Sequence, residues 1–333
     1  MTMMMLSLRS VNALVIQAVF LFVVVHSFSI GHLHQSSQPS TVLSLSSSDS
    51  TITTYGSSAV RSIRPSTTDS NLQLQLLSFY RFVDIPNPDI VRDALFEELL
   101  LIPGVRGTVY VAKEGINAQF AVEVGEPLQL LLNTFGEKGC LPFDTFEKNP
   151  PNIGDVVDSN VSTFDRLIVR TRDFILRDGI KLEDGEAPLD WRDAGTELDA
   201  EDWHEQLQQP NIQLLDCRND YESEQGTFQS AQPLNTKTFS ETWSVLDDQV
   251  KSDSINPDEP VYIFCTGGIR CTKVGSYLKN KLGCKDVRSL RHGIIGYERW
   301  ASDTEKTLWV GDNFLFDKRR FSKNDSEHSA EEK

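Results

Sequence analysis

The segment Val261-Tyr262-Ile263-Phe264-Cys265-Thr266-Gly267-Gly268-Ile269-Arg270 decides the fold of this chain. Its first four residues are apolar and predict a short buried strand. Two glycines then let the chain curl tightly, and the residues that follow predict a helix. A strand, a tight loop and a helix in this order predict an α/β unit whose loop presents Cys265 at the carboxyl end of the strand.

The composition of this loop predicts a cradle for a reactive cysteine. Loop amides and the positive end of the helix dipole point toward a group at the strand end, and the guanidinium of Arg270 adds a positive charge. Such donors stabilise a thiolate or a bound anion and lower the pKa of a cysteine. The alternative is an ordinary buried cysteine. We predict Cys265 as the reactive thiol, with an anion cradle formed by Arg270 and the loop residues Thr266, Gly267, Gly268 and Ile269.

The loop resembles the rhodanese pattern Cys-x-x-Gly-x-Arg. Upstream, the stretch from Leu214 to Glu222, followed by Gly226-Thr227, resembles the rhodanese strand that ends in Asp-x-Arg. Val287 to Leu290 predicts another strand, and Gly293 to Trp300 resembles the closing helix of the family, with His292 where relatives usually carry glycine. The resemblance implies a doubly wound parallel sheet. We expect two supporting residues, Asp216 and Arg218, to pair and brace the loop or to orient substrate.

Loop length discriminates among cysteine enzymes that bind anions. Four residues separate Cys265 from Arg270, whereas phosphotyrosine phosphatases and the related arsenate reductases use a loop one residue longer. The phosphatases also usually place a histidine before the cysteine, where this chain has Phe264. The shorter loop favours a small adduct on the sulfur, such as a persulfide or a sulfenate-like species.

A longer stretch, Phe264 to Lys273, resembles the extended loop of the tRNA uridine hydroxylases. The segments Phe79 to Val83, Gly104 to Asn117 and Asn235 to Phe239 are similar to that subfamily as well. The resemblance implies a ferredoxin-like (acylphosphatase-like) domain ahead of the rhodanese domain. It also implies oxygen-dependent conversion of tRNA uridine 34 to 5-hydroxyuridine, with tRNA as substrate, dioxygen as co-substrate and no other cofactor evident.

The pattern of the first domain is consistent with that implication. Apolar and aromatic residues, proline and glycine breaks and helical spacing predict the order β-α-β-β-α-β, the split βαβ arrangement. The predicted elements are a strand over Leu76 to Val83, a helix from Asp89 to Pro103, strands over Gly107 to Ala112 and Ile116 to Val122, a helix over Gly125 to Gly136 and a last strand including Leu167 to Val169.

The charge distribution bears on an RNA substrate. A net charge of −16 is unfavourable for a protein that binds RNA over its whole surface, because phosphate contacts supply much of the affinity. A local basic cleft is still compatible with it. In the first domain the residues that could contact phosphates, or else be ordinary surface charges, are Arg106, Lys113, Arg166, Arg170 and Arg172. Near the loop the basic residues are Arg270, Lys273, Lys279, Lys281 and Arg291.

Cysteine usage favours reactive thiols over structural bridges. The chain has five cysteines, an odd number, without paired structural-zinc spacing, and its six histidines include no helical ligand pair. We therefore predict no metal site. Cys271 follows Arg270 directly, and its two interpretations are a catalytic resolving thiol and a small residue packed at the helix start. Cys217 and Cys284 are predicted to fill the core.

Two alternatives to the hydroxylase interpretation stay open on the sequence alone. In the first, Cys265 takes sulfur from a donor, thiosulfate or a persulfide, and passes it to an acceptor such as Cys271, which defines a sulfurtransferase. In the second, the domain is a non-catalytic binding module that has kept the fold. The intact cysteine and arginine of the loop favour an enzyme.

The amino terminus has the composition of a targeting leader. An apolar stretch from Ala13 to Val25 after Arg9 predicts a signal peptide, and the segment from Ser29 to Asn71 is rich in serine and threonine and poor in acids. This resembles the bipartite leaders of algae with complex plastids, so we predict plastid import, with mitochondrial import and secretion as alternatives. We expect no stable membrane association after the leader is removed.

These observations predict the domain organisation of the chain. Residues 1–70 are expected to be a disordered leader, residues 71–178 the ferredoxin-like domain and residues 179–197 an acidic linker rich in glycine. Residues 198–305 are expected to form the rhodanese domain. Residues 306–333 are expected to form a C-terminal extension whose end is disordered.

Overall fold

The computed structural model describes residues 52–54, 60–63, 72–135, 150–161, 163–180, 189–315 and 321–322. Most of the leader segment and the residues after 322 lie outside this set, so signal-peptide cleavage, plastid import and tail disorder stay predictions. Among the described helices, none is both long enough and apolar enough to cross a bilayer.

Within its described residues, the first domain comprises a seven-stranded sheet and two helices. Its strands are β1 (Ile52–Thr54), β2 (Val60–Ile63), β3 (Gln73–Phe82), β4 (Arg106–Ala112), β5 (Gly115–Glu123), β6 (Asn152–Asp158) and β7 (Leu167–Thr171). The helices are α1 (Pro88–Leu100) and α2 (Glu126–Thr134). The sheet order is β1-β2-β7-β4-β5-β3-β6.

The predicted split βαβ arrangement is present, but a different strand completes it. Antiparallel pairing places β5 between β3 and β4, and β6 pairs antiparallel with the outer edge of β3. That edge is the position of the fourth strand in a ferredoxin-like sheet. The strand Asn152–Asp158 was not predicted, because only one of its seven residues is buried. Leu167–Thr171, expected to be the closing strand, instead extends the other edge by parallel pairing with β4.

Helix α1 begins where the sequence predicts. The side chain of Asn87 accepts a hydrogen bond from the backbone N–H of Ile90 at 3.3 Å, which caps the helix, and Pro88 occupies its first turn. Leu95 and Leu99 on its inner face are fully buried. They pack with Phe79 and the inward residues of the central strands, so one face of the sheet is covered by the helices.

Two short strands lie within the segment that the sequence analysis assigned to a disordered leader. Strand β2 pairs with β7, and β1 pairs with β2. Arg61 on β2 forms an ion pair with Asp93 on α1 at 3.0 Å. At residues 52–54 and 60–63 the expectation of disorder is therefore wrong, because these residues extend the edge of the sheet beyond β7.

The second domain is a parallel α/β unit. Its central strands are β8 (Thr196–Leu198), β9 (Gln213–Asp216), β11 (Gln232–Pro233), β12 (Val261–Phe264) and β13 (Val287–Leu290). Its helices are α3 (Ala200–Gln206), α4 (Asp220–Ser223), α5 (Thr242–Lys251), α6 (Ile269–Asn280) and α7 (Gly293–Thr304), with a 3₁₀ turn at Phe239–Glu241. The strands are all parallel, in the order β11-β9-β12-β13-β8.

Helices cover both faces of this second sheet, as the doubly wound prediction requires. On one face, residues of α5 and α6 such as Leu246 and Val274 pack on β9 and β12. On the other, Trp203 of α3 and Tyr297 of α7 pack on Phe264. This second cluster also takes in Trp309 from the C-terminal extension. There β14 (Trp309–Gly311) pairs with β10 (Gly226–Phe228), and β15 (Asn313–Phe314) pairs with β16 (Phe321–Ser322).

Candidate active site

Cys265 is the first residue after β12, at the carboxyl end of the central strand. Its side chain is buried, and the backbone N–H of Gly268 donates a hydrogen bond to Sγ at 3.2 Å. Gly268 has a φ of 94°, in the left-handed region that favours glycine, and caps α6. A Cβ at this position would lie 2.9 Å from the hydroxyl of Tyr80. The tight loop therefore depends on glycine both for its backbone and for the space beside it.

The surroundings of Cys265 favour its thiolate form. Burial raises the pKa of the thiol, but hydrogen bonds from the Cys271 side chain, the Arg270 charge and backbone donors of residues 270 and 271 outweigh it. Together these interactions lower the pKa of Cys265 from 9.0 to about 5. The thiolate is the nucleophilic form of cysteine. The environment of Cys265 therefore favours ionisation of the thiol, and its role as the reactive thiol stays a prediction.

Arg270 lies near the Cys265 sulfur and is also held in place by the carboxylate of Glu222. Its Nη1 and Nη2 donate to the two carboxylate oxygens of Glu222 at 2.5 and 2.7 Å, and Nη2 also donates to the Thr266 hydroxyl at 3.1 Å. Thr266 in turn donates to Glu222 at 3.0 Å. Arg270 therefore fixes the loop to α4 while its charge acts on Cys265.

Glu222 belongs to the site, although no role was predicted for it from the sequence. It is fully buried, and it also accepts a hydrogen bond from the backbone N–H of Asn219. Burial tends to raise the pKa of its carboxyl, but the charge and hydrogen bonds of Arg270 lower the pKa overall. A buried carboxylate requires such a partner. The only signal in the sequence was an acid at a fixed distance before Gly226.

Asp216 and Arg218 form the predicted pair. Both side chains are fully buried, with Arg218 Nη2 2.6 Å from Asp216 Oδ2 and Nε 2.9 Å from Oδ1. Arg218 also donates to the carbonyls of Glu222 and Gly226, and Thr227 donates to Asp216. These bonds tie the end of β9 to α4, the helix that carries Glu222. The contacts of the pair are those of a brace.

Cys271 lies in the first turn of α6, beside Cys265. It is buried, and burial together with hydrogen bonds to the Cys217 and Cys265 thiols raises its pKa well above the usual value. Cys271 therefore stays protonated while Cys265 ionises. Cys271 is the hydrogen-bond donor and the Cys265 sulfur is the acceptor. Cys217 and Cys284 belong to the same apolar cluster, which is the core position predicted for them.

A cavity of about 750 Å³ opens between the two domains beside the loop. From the second domain it is lined by Cys265, Thr266, Gly267, Ile269 and Arg270. From the first domain it is lined by the sheet face that the helices leave uncovered. Cross-strand pairing aligns the residues of that face in two rows, Ser78-Gln119-Thr108 and Tyr80-Asn117-Tyr110. The first domain therefore forms one wall of the site that contains the cysteine.

Tyr80 brings the first domain directly against the loop. It lies within the quoted Phe79 to Val83 segment, and its hydroxyl is 3.4 Å from Thr272 Oγ1. Burial, followed by the charge of Glu197, raises the pKa of the phenol well above its usual value. Tyr80 is therefore a neutral hydroxyl beside Gly268. No role could be predicted for Tyr80 from the sequence, because no local pattern shows which residue of another domain reaches the loop.

Lys273 joins the domains instead of forming an open basic patch. Its Nζ lies 3.0 Å from Glu114 Oε2 and 2.6 Å from Asp178 Oδ2, and it donates to the Leu176 carbonyl at 3.0 Å. A second link runs from the Asn152 amide to the His292 carbonyl at 2.9 Å. His292 itself has a φ of 61°, so a non-glycine residue occupies the left-handed conformation there.

The other residues of the predicted basic patch differ in their surroundings. Lys279 pairs with Asp193, and Arg291 lies 3.7 Å from Glu197. Of the five basic residues singled out in the first domain, Arg172 lines the cavity. Lys113 and Arg166 are exposed away from it, and Arg106 and Arg170 are half-buried. Within the ranges that the structure describes, no cluster of three or more metal-binding side chains is found.

The second domain belongs to the class of rhodanese-type cysteine domains. Its parallel sheet, its cysteine loop and the buried ion pairs behind the loop are the features of that class. Family comparison agrees: residues 74–175 match the UPF0176 acylphosphatase like domain, and residues 199–302 match the Rhodanese-like domain. A solved rhodanese-like domain protein from Staphylococcus aureus is similar over 31% of this chain and 90% of its own, with 24% identity and a TM-score of 0.25.

Sequence comparison defines the family more narrowly. A protein from Legionella pneumophila named tRNA uridine(34) hydroxylase is 33% identical over 249 residues, covering 73% of this chain and 88% of the relative. One of the same name from Escherichia coli is 34% identical over 245 residues, covering 73% of this chain and 65% of the relative. The chain belongs to the tRNA uridine(34) hydroxylase family.

Proposed function

We propose that this protein hydroxylates uridine 34 of tRNA to 5-hydroxyuridine, with dioxygen as co-substrate and Cys265 as the reactive group. Family membership supports the reaction class. The observation that carries the proposal is the position of a low-pKa thiol in a cavity of about 750 Å³ between two domains. Sites for small ligands usually measure roughly 300–1,000 Å³, which is room for one nucleotide taken out of its stack.

The chemistry of the thiolate suits this substrate. A thiolate that adds to C6 of a uracil ring places electron density on C5, the carbon that is hydroxylated. One oxygen atom of O₂ then goes to C5, and the other leaves as water, which requires two electrons and two protons. Loss of the C5 proton then expels Cys265 from C6 and restores the ring double bond, and the freed thiolate takes the outer oxygen of the C5 hydroperoxide as a sulfenic acid. Attack of Cys271 on that sulfur gives the disulfide and water, so the two thiols supply the two electrons and two protons. The balance is uridine plus O₂ plus two thiols, giving 5-hydroxyuridine, water and one disulfide.

The arrangement of the two thiols supports this role for Cys271. It is a protonated thiol that hydrogen-bonds the Cys265 sulfur, so the resolving group is already adjacent to the atom it would attack. Arg270 and the loop amides would hold the negative charge on Cys265, with Asp216 and Arg218 holding α4 in place behind them. No resident metal or organic cofactor enters this scheme.

The experiment uses the purified protein with a tRNA anticodon stem-loop that contains uridine 34. Reduced protein is mixed with the RNA under air or under argon, without added reductant, and nucleosides are quantified by mass spectrometry. We expect up to one 5-hydroxyuridine per protein in air and none under argon or with Cys265→Ala. A thiosulfate-dependent Cys265 persulfide without 5-hydroxyuridine would instead support the sulfurtransferase alternative, in which the same cradle holds a terminal sulfur.

Plastid import remains part of the proposal, supported by the composition of the leader. A fusion of residues 1–70 to a fluorescent protein, expressed in an alga with complex plastids, is expected to accumulate in the plastid. Fluorescence in mitochondria or in the secretory pathway would replace this assignment with one of its alternatives. After import we expect the mature protein in the soluble fraction, without stable membrane association.

A further inference from the structure

An exposed aromatic side chain stands at the rim of the cavity. Phe174 follows β7, lines the cavity and keeps 49% of its surface exposed to solvent. Single exposed apolar residues are common on protein surfaces and need no explanation by themselves. Phe174 differs because it lines the cavity that contains Cys265. A ligand in that cavity would cover its ring.

The backbone on both sides of Phe174 is fixed. The N–H of Arg172 donates to the carbonyl of Val111 at 2.9 Å, and the N–H of Ile175 donates to a carboxylate oxygen of Glu114 at 2.8 Å. The Ile175 side chain is buried, and its carbonyl accepts a hydrogen bond from the Asn117 amide at 3.3 Å. The exposed ring is therefore presented by an ordered segment, which lowers the entropic cost of stacking a ligand on it.

One face of the Phe174 ring already meets a cation. Lys273 Nζ lies 5.3 Å from the ring centroid, in a cation–π contact. Lys273 is itself anchored by Glu114 and Asp178. Because the lysine holds its side of the ring, the solvent-exposed part remains open for a flat group.

Two arginines lie on either side of Phe174 in the sequence and line the same cavity. Arg172 and Arg177 both line the cavity and are exposed, and among the described residues neither has a carboxylate within ion-pair distance. The guanidinium of Arg172 lies 5.2 Å from the Tyr110 ring centroid. The one acid within the segment is Asp173, so the segment carries a net positive charge. An exposed aromatic ring that shares a cavity with two such arginines has the chemistry of a site for a single-stranded nucleotide, in which the base stacks and the phosphate pairs.

We propose that the segment Arg172–Arg177 binds the anticodon-loop nucleotide next to the target uridine, with its base stacked on Phe174 and its phosphate held by Arg172 or Arg177. This inference rests on the proposed function and assigns the segment a positioning role in it. Stacking of the neighbouring base would hold the loop open and leave the target uridine to enter the cavity toward Cys265.

Binding of an anticodon stem-loop RNA, followed by fluorescence anisotropy, tests the stacking. Phe174→Ala is expected to weaken binding roughly 5- to 150-fold, the range for loss of one base–aromatic stack. Phe174→Trp is expected to restore it, and Phe174→Leu, which is apolar but not aromatic, is not. Leu101→Ala removes another exposed apolar side chain of the same domain and is expected to bind as wild type. Unchanged binding by Phe174→Ala, or full rescue by leucine, would overturn the inference.

The phosphate contact has its own measurement. Arg172→Gln is expected to reduce the slope of log Kd against log salt by about 0.7 for each single-strand phosphate that the variant no longer neutralises. Lys285→Gln, at the opposite end of the second sheet, is expected to leave the slope unchanged. If neither Arg172→Gln nor Arg177→Gln changes the slope, the segment does not bind phosphate and the proposal fails.

A covalent readout separates this inference from the proposed function. Stem-loops with 5-iodouridine on either side of position 34 are irradiated with wild-type protein, and the cross-linked peptide is mapped by mass spectrometry. A cross-link at Phe174 is expected, and cross-links only elsewhere would contradict the inference. If wild type hydroxylates the RNA while Phe174→Ala binds and reacts equally well, the inference alone fails. If wild type neither binds nor hydroxylates the RNA, the proposed function fails with it.

Discussion

Arg270 and Glu222 form a bidentate ion pair behind the cysteine loop, with Nη1 to Oε2 at 2.5 Å and Nη2 to Oε1 at 2.7 Å. The acid is fully buried and the arginine nearly so. Arg270 therefore has two effects, one on the stability of the fold and one on the pKa of Cys265. It fixes the loop to α4 through Glu222, and its positive charge stabilises the Cys265 thiolate.

Glu222→Gln separates these two effects. We expect it to lower the free energy of unfolding by about 3–5 kcal/mol, because it leaves the Arg270 charge buried without its partner. The same change removes a negative charge near the sulfur, so it should lower the pKa of Cys265. Urea denaturation measures the first quantity and the pH dependence of alkylation measures the second. Arg270→Leu is the matched variant: it should also destabilise the protein but raise the pKa of Cys265. Equal pKa shifts in the two variants would contradict this account.

Cys265 should react with iodoacetamide at a pH where ordinary thiols do not. Its lowered pKa predicts a rate that rises through about pH 5 and is nearly constant above pH 6, whereas an unperturbed thiol rises up to pH 9.0. Cys284, whose pKa is raised by burial, serves as the internal comparison. Peptide mass spectrometry assigns the label to each residue. A midpoint for Cys265 near pH 9 would show that the loop does not stabilise the thiolate.

The lowered pKa of Cys265 also makes the stability of the protein depend on pH. Folding lowers the pKa of Cys265, so its ionisation stabilises the native state. This contribution is complete above the unfolded pKa of 9.0 and is lost as the pH falls toward about 5. Cys265→Ala should therefore show a weaker rise of unfolding free energy between pH 5 and 9 than wild type. Parallel pH profiles for the two proteins would exclude a buried thiolate.

Two substitutions at Cys271 distinguish a hydrogen-bond donor from a redox partner. Cys271→Ser keeps a donor beside Cys265, so the pKa of Cys265 should stay low, but no disulfide can form and single turnover without added reductant should fail. Cys271→Ala should raise the pKa of Cys265 as well, because the donor is lost. Alkylation profiles and single-turnover product yields measure these outcomes. Full single-turnover yield in the serine variant would exclude the redox role and leave Cys271 as a hydrogen-bond donor to Cys265.

Lys273 and Glu114 should be energetically coupled across the domain boundary. Their Nζ and Oε2 atoms lie 3.0 Å apart, and the lysine is 7% exposed. In a double-mutant cycle of Lys273→Met and Glu114→Gln, we expect a coupling free energy of about 1.5–3 kcal/mol, the range for hydrogen bonds to charged groups. The exposed pair Lys285 and Asp258, at 2.7 Å, is the control and should couple by about 1 kcal/mol or less. Equal coupling in the two pairs would show that Lys273 does not link the domains.

The order of elements in the second domain could be predicted because its signals are local. An apolar run, two glycines and a helix specify the strand, the loop and the orientation of Cys265. The first domain was harder. Strand β6 has an exposed, acidic sequence, and β2 belongs to a segment with the composition of a leader, so pairing with distant strands determines both.

The partners within the site depend on tertiary structure in the same way. Arg270 could be placed near the sulfur from its position in the loop, but its pairing with Glu222 joins residues 48 positions apart. Tyr80 reaches the loop from 192 positions away. No periodicity or spacing encodes such contacts, because they join residues far apart in the sequence, within the second domain for Arg270 and Glu222 and between the domains for Tyr80. The loop that carries Cys265 could therefore be predicted from the sequence, whereas the cavity wall opposite the loop could be described only from the structure.

Nucleoside mass spectrometry of tRNA from cells that lack the protein, complemented with wild type or with Cys265→Ala, tests directly whether the protein hydroxylates uridine 34 through this thiol. We expect 5-hydroxyuridine and its derivatives to disappear without the protein, and only the wild type to restore them. Unchanged 5-hydroxyuridine in the cells that lack the protein, or its restoration by Cys265→Ala, would contradict a tRNA hydroxylase that acts through this thiol.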